Sequence, residues 1–179
     1  DFRGSAKMKK VLIFSLILSV LLSAAGCSLL NPAPKEFEVA DYNMVITADE
    51  GFKEDTGGDW SLQITNYKTY ISVMPFTYEE LGDITTEEIY SLQNEDIFTR
   101  REDAKVLEEE TKKTENGKTI IRKVFSAVLD GEESYYVCYL VDIPESEICA
   151  WVLCSTLPEY YDSIKEKSDT IVATLSVKE

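Results

Sequence analysis

The chain of 179 residues contains no histidine. That absence removes Ser-His-Asp and Cys-His catalysis and every zinc site that uses imidazole. The sequence also lacks a Gly-x-Ser-x-Gly elbow, a phosphate-cradling glycine-rich loop and a Cys-x-x-Cys pair. Positive charge is scarce, with 18 Lys and Arg against 33 Asp and Glu, a net of −15. So acidic a surface does not suit nucleic acid, whose phosphates need Lys and Arg to neutralise them. Nor does it suit lying flat on anionic lipid. A membrane-spanning segment is missing too. The apolar stretch that begins at Val11 gives out by Ala25, short of the ~20 residues a spanning helix needs.

That short stretch is informative in another way. Met8, Lys9 and Lys10 precede an apolar run over Val11–Leu22, and Ser23-Ala24-Ala25-Gly26-Cys27 follows. The order is that of a bacterial lipoprotein export signal: a basic start, an inserting apolar segment, then small residues that a signal peptidase grips in extended form. The expected anchor is a diacylglyceryl thioether on the Cys27 sulfur, whose two chains suffice for stable attachment where one is marginal. Four segments follow. Residues 1–7 are expected to be translated leader, since Arg3-Gly4 can be encoded by a purine-rich ribosome-binding run. Residues 8–26 are the signal, 27–35 a lipid-anchored tether stiffened by Pro32 and Pro34, and 36–179 one globular domain. Removing residues 1–26 takes away a net +3 and leaves −18 on the mature chain. The composition, 44% hydrophobic and 11% aromatic, is that of a folded domain.

Alternation of apolar and polar residues predicts strands over Phe37–Val39, Tyr42–Thr47, Trp60–Ile64 and Tyr70–Met74, with a turn at Asn66-Tyr67-Lys68 and a stop at Pro75. Thr85 and Glu88 form a capping box that opens a helix over Thr86–Phe98, expected to bury Ile89, Leu92 and one of Ile97 or Phe98. Asn116-Gly117 and Asp130-Gly131 are two-residue hairpin signals. With Pro144-Glu145-Ser146 they predict a four-stranded antiparallel meander over Val106–Glu115, Lys118–Leu129, Ser134–Ile143 and Glu147–Ser155. The turn register collects Val106, Ile121, Phe125, Leu129, Tyr136 and Leu140 on one face. Leu107, Ile120, Val124, Val128, Tyr135, Val137, Tyr139 and Val141 fall on the other. Both faces are apolar, so both need cover. The Thr86–Phe98 helix is available for one. A helix from Pro158, carrying Tyr161, Ile164, Ile171, Val172 and Leu175, is available for the other, with Leu175–Val177 as a closing strand.

The expected class is α+β, an antiparallel sheet with helices on both faces. Its order of elements resembles the PsbP-like family, which includes DcrB-type bacterial lipoproteins. The likeness is carried by Tyr42-Asn43-Met44-Val45-Ile46-Thr47 leading to Gly51-Phe52, then the hairpin, mid-chain helix, meander and closing helix and strand. This resemblance implies an α/β/α sandwich and a role in binding or assisting other proteins, with no catalytic residues to carry over.

Three groups of side chains are candidate sites. Asp49, Glu50, Glu54, Asp55 and Asp59 surround Gly57-Gly58, and clustered carboxylates with glycine can wrap Ca²⁺, though the spacing is not that of an EF-hand and a solvated loop is the favoured reading. Tyr67, Tyr70, Tyr78, Tyr90, Tyr160 and Tyr161 fall at turns, strand ends and helix faces, where tyrosine serves interfaces as well as packing. After lipidation of Cys27, Cys138, Cys149 and Cys154 remain. Cys149 and Cys154 point to opposite faces of one strand, and the turn sets Cys138 opposite Trp151 or Val152, so buried free thiols are expected. The function expected is that of a non-catalytic accessory or assembly factor, outside the cytoplasm and held to the membrane by its lipid. It would need a protein partner, no nucleic acid, and no cofactor beyond that lipid. Alternatives are a small-ligand or Ca²⁺ module, or a hydrolase built on a carboxylate pair.

Overall fold

Two glycine-containing turns organise the domain. Asn116 and Gly117 have φ of 53° and 74°, and Asp130 and Gly131 have 55° and 85°. These left-handed pairs let two residues reverse the chain without splaying the strands. The computed structural model describes residues 33–49 and 51–178. The leader, the signal and Cys27 lie outside them. In chain order come β1 (Lys35–Val39), β2 (Met44–Ala48), β3 (Lys53–Glu54), β4 (Leu62–Thr65) and β5 (Thr69–Thr77). There follow α1 (Tyr78–Leu81), α2 (Thr86–Arg100), β6 (Glu102–Glu115), β7 (Lys118–Leu129), β8 (Glu132–Ile143), β9 (Ile148–Thr156), α3 (Tyr161–Ala173) and β10 (Ser176–Val177). Seven strands form one sheet in the order β3-β4-β5-β9-β8-β7-β6, and β1-β2-β10 form a second. All pairings are antiparallel.

The β7–β8 register is the expected one, with Ile121 opposite Leu140 and Val124 opposite Val137. Both faces are covered. On one, Ile121, Phe125, Tyr136, Leu140 and Trp151 pack beneath α2. On the other, Val124, Val137, Tyr139 and Val152 join Phe37, Met44 and Ile46 of the small sheet and Ile171 and Val172 of α3. Lys118 Nζ donates to the Ala173 and Leu175 carbonyls, at 3.0 and 2.8 Å, satisfying carbonyls at the C-terminal end of α3.

The structure corrects four local expectations. β2 starts at Met44, not Tyr42, because Asp41 and Asn43 adopt φ of 65° and 48° in the turn from β1. β5 runs through Pro75 to Thr77. β4 accompanies it only as far as Val73, so beyond that point β5 has β9 alone beside it and tolerates a missing N–H. The last hairpin turn is longer than expected: Glu147 takes φ 51° and Ile143 pairs with Ile148, which places Cys138 opposite Leu153. The capping box at Thr85 and Glu88 is present, but Leu92 is 52% exposed while Tyr90, Asn94 and Ile97 face inward. Tyr90 and Asn94 can be buried because each polar end finds a partner. The Tyr90 hydroxyl donates to the Cys138 carbonyl at 3.2 Å, and Trp151 Nε1 donates to Asn94 Oδ1 at 3.1 Å.

Candidate functional site

The most strongly coupled side chains in the domain join the sheet to α3. Arg122 on β7 donates to Glu108 of β6 at 2.6 Å and to Asp169 of α3 at 3.0 Å. Lys165 donates to Glu108 at 2.6 Å and the Tyr161 hydroxyl to the same carboxylate at 2.7 Å. The Tyr139 hydroxyl donates to Asp169 at 2.6 Å. A bulge makes this possible. Val106 pairs with Phe125 but Glu108 pairs with Val124, so the extra residue turns Glu108 to the α3 face. Burial alone would push the Glu108 carboxyl up, but hydrogen bonds from Lys165, Arg122 and Tyr161 outweigh it and hold it at about 2. With every group engaged by another, the cluster clamps β6, β7, β8 and α3 together.

This predicts a pH dependence with a definite sign. A carboxyl depressed in the folded state stabilises it above the unfolded-state value and loses that contribution as pH falls towards about 2. Denaturation midpoints of the wild type are expected to fall between about pH 4.5 and 2 more steeply than those of Glu108→Gln. Identical slopes would remove Glu108 from the clamp.

The thiols are inert by position. Cys138, Cys149 and Cys154 are free and buried. Burial, aided by the nearby Asp142 charge, pushes the Cys149 thiol up to about 12, far from the thiolate that reacts. Thiol titration is expected to find these three unreactive in the native domain and all three reactive in denaturant. Loss of two to a bridge would contradict the register.

The described acidic-loop residues do not gather into one site. Asp49 pairs with Lys167 of α3, Asp55 Oδ1 accepts from the Gly57 N–H at 3.1 Å, Glu54 lies in β3 and Asp59 is exposed. Glu50 lies outside the described residues. Among those residues no three Cys, Asp or Glu side chains stand together to hold a metal ion. The tyrosines divide likewise. Tyr78 donates to Asp142 at 2.7 Å, Tyr90 and Tyr161 are buried, Tyr160 lies beneath Lys68, and Tyr67 and Tyr70 are 85% and 43% exposed.

Concave surface is concentrated around α2. A cleft of about 530 Å³ opens between α2 (Tyr90, Asn94, Phe98) and the sheet (Val106, Phe125), with Glu95, Glu110 and Lys123 also lining it. Beside it a ledge of about 500 Å³ is built from Ile84, Leu92 and Ser91 and bounded by Asp83, Glu87 and Glu88. Ile84 is 44% exposed. The sequence pattern missed this surface because it assigned Leu92 to the core. The available clue is that an apolar stripe over Ile89 and Leu92 competes with an inward Tyr90–Asn94–Ile97 stripe on the same helix, and only one can face the sheet.

No protein-family model matches the chain and no curated protein matches it. Solved structures do. Cyanobacterial PsbP from Synechocystis sp. PCC 6803 aligns with a TM-score of 0.58 at 12% identity, over 82% of this chain and 93% of its own. The Saccharomyces cerevisiae Ran-binding protein Mog1p aligns at 0.59 and 11%, over 82% and 96%. LpqN, involved in cell envelope biogenesis of Mycobacterium tuberculosis, aligns at 0.59 and 10%, over 82% and 91%. At such identities the likeness is one of architecture. The domain has the PsbP-like α+β fold that the order of its sequence elements implies.

Proposed function

We propose that this protein is a lipid-anchored extracytoplasmic factor that holds a protein partner on the α2 face and performs no chemistry on it. The observation that carries the proposal is the apolar ledge of Ile84 and Leu92 inside a rim of Asp83, Glu87 and Glu88, continuous through Ser91 with the aromatic-walled cleft. Exposed apolar surface rimmed by polar groups marks an interaction site. Carboxylates at the rim favour a basic, amphipathic stretch of the partner and steer it in. The fold neighbours support the same reading, since one binds Ran and another is involved in cell envelope biogenesis. Among the described residues no helix is long and apolar enough to cross a membrane. The attachment point this reading requires is Cys27, with a tether short enough to keep the domain near the lipid surface.

The test is co-purification from cross-linked membranes. The double variant Ile84→Glu with Leu92→Glu changes two exposed positions and is expected to keep its melting temperature while losing the partner. Recovery of the same partner in the same yield would place the docking surface elsewhere.

A further inference from the structure

The sheet face beneath α2 changes chemistry along its strands. Under the helix it presents Met74, Trp151 and Cys138, but further along β4, β5, β9 and β8 the same parity brings up Gln63, Ser72, Ser155 and Ser134. Among the described residues no helix covers that end. What remains is a groove of about 440 Å³, floored by these hydroxyl and amide groups and flanked by Trp60, Tyr67, Tyr70 and Leu157. Its charge is opposite to that of the chain. Lys68 and Arg101 line it against Glu132 alone, in a protein of net −15. Arg101 lies over the Tyr136 ring at 4.7 Å, and its Nε is buried without a hydrogen-bond partner.

One wall is held in place against its own preference. Tyr67 is 85% exposed and sits at φ 60°, a left-handed conformation unfavourable for a bulky residue and better suited to Asn or Gly. The turn is held by Asn66 Oδ1, which accepts from the Lys68 and Thr69 N–H groups at 3.2 and 3.0 Å. Of the non-glycine residues with positive φ, Tyr67 alone among the described residues is aromatic, which singles this turn out for a functional hypothesis.

We infer that this groove binds an anionic polysaccharide, with sugar rings against Tyr67, Tyr70 and Trp60, ring hydroxyls on Gln63, Ser134 and Ser155, and sugar carboxylates on Lys68 and Arg101. Each contact uses what the groove offers: flat amphipathic rings, small hydroxyls and a guanidinium able to bond a carboxylate. An extended peptide would seek open backbone groups. β5, β9 and β8 are paired on both sides along most of the groove, so it offers side chains only. The site is separate from the α2 ledge and does not depend on the protein-partner reading.

The probe is hexagalacturonate, titrated calorimetrically into the full chain in detergent micelles. Binding is expected, at least tenfold weaker in Tyr70→Ala and in Tyr67→Asn. Tyr67→Asn is expected to melt no lower than wild type, because Asn accepts the left-handed turn. Arg101→Gln is expected to weaken the acid sugar while leaving the fully methyl-esterified hexamer, itself a poor ligand, unchanged. The inference is overturned if hexagalacturonate does not bind, if the tyrosine variants bind it as wild type does, if the ester binds as tightly as the acid, or if hexaglutamate binds as tightly as the sugar.

Discussion

Cys27→Ala is expected to abolish incorporation of a clickable fatty acid entirely and to leave the protein as unprocessed precursor or as released chain. The effect is all-or-none because the transferase needs a thiol nucleophile, and no hydroxyl or methyl group at that position can form the thioether. The domain offers no substitute: Cys138, Cys149 and Cys154 are buried in strands β8 and β9. Without lipid, the apolar stretch before Cys27 is too short to span a bilayer stably, so the variant would depend on an uncleaved signal for any membrane contact. Equal label in wild type and variant would refute the anchor.

Asn116-Gly117→Ala-Ala has the largest stability effect expected within the domain. Both residues are left-handed, at φ 53° and 74°, and an alanine there costs roughly 1–2 kcal/mol. Together the two changes remove about 2–4 kcal/mol, which lowers the melting temperature by roughly 4–16 °C at about 2–4 °C per kcal/mol for a domain of this size. The loss would fall on the β6–β7 hairpin, where Glu108 meets Arg122, so the clamp to α3 would loosen with it. An unchanged melting temperature would mean that the turn is not the two-residue reversal described.

What could be read in advance was local. Asn-Gly and Asp-Gly turns force their own geometry, and Thr85 with Glu88 caps α2 whatever it packs on. Together with the near-continuous apolar runs of β7 and β8, these gave the meander, its two apolar faces and the covering helices. Features set by distant partners were hidden. Leu92 and Tyr90 compete for the inside of α2, and the outcome depends on where the Cys138 carbonyl and the Trp151 indole stand. Glu108 belongs to a run of three glutamates that looks like a wet edge, and only the bulge beside it turns it towards Arg122 and α3. Pro75 signals the end of a strand, yet the strand continues because β4 is short. Gln63, Ser72, Ser134 and Ser155 lie in four separate strands, so their common face appears only once the sheet order is known. The acidic loop was the reverse case, a cluster in sequence whose described members do not gather in space: Asp49 pairs with Lys167 and Asp55 accepts from the Gly57 N–H.

A membrane-anchored domain that docks a protein partner on its α2 face will cross-link to that partner there and not on the opposite face. Site-specific photo-cross-linking in cells tests it most directly. A photoreactive residue is placed at position 92 on the ledge, and in a second strain at position 166, on the exposed side of α3 at the opposite face. A discrete membrane-associated adduct is expected from position 92, none from position 166, and loss of the adduct when Glu87 and Glu88 are changed to lysine. Equal adducts from both positions, or an adduct at 92 indifferent to the lysine changes, would contradict docking on the α2 face.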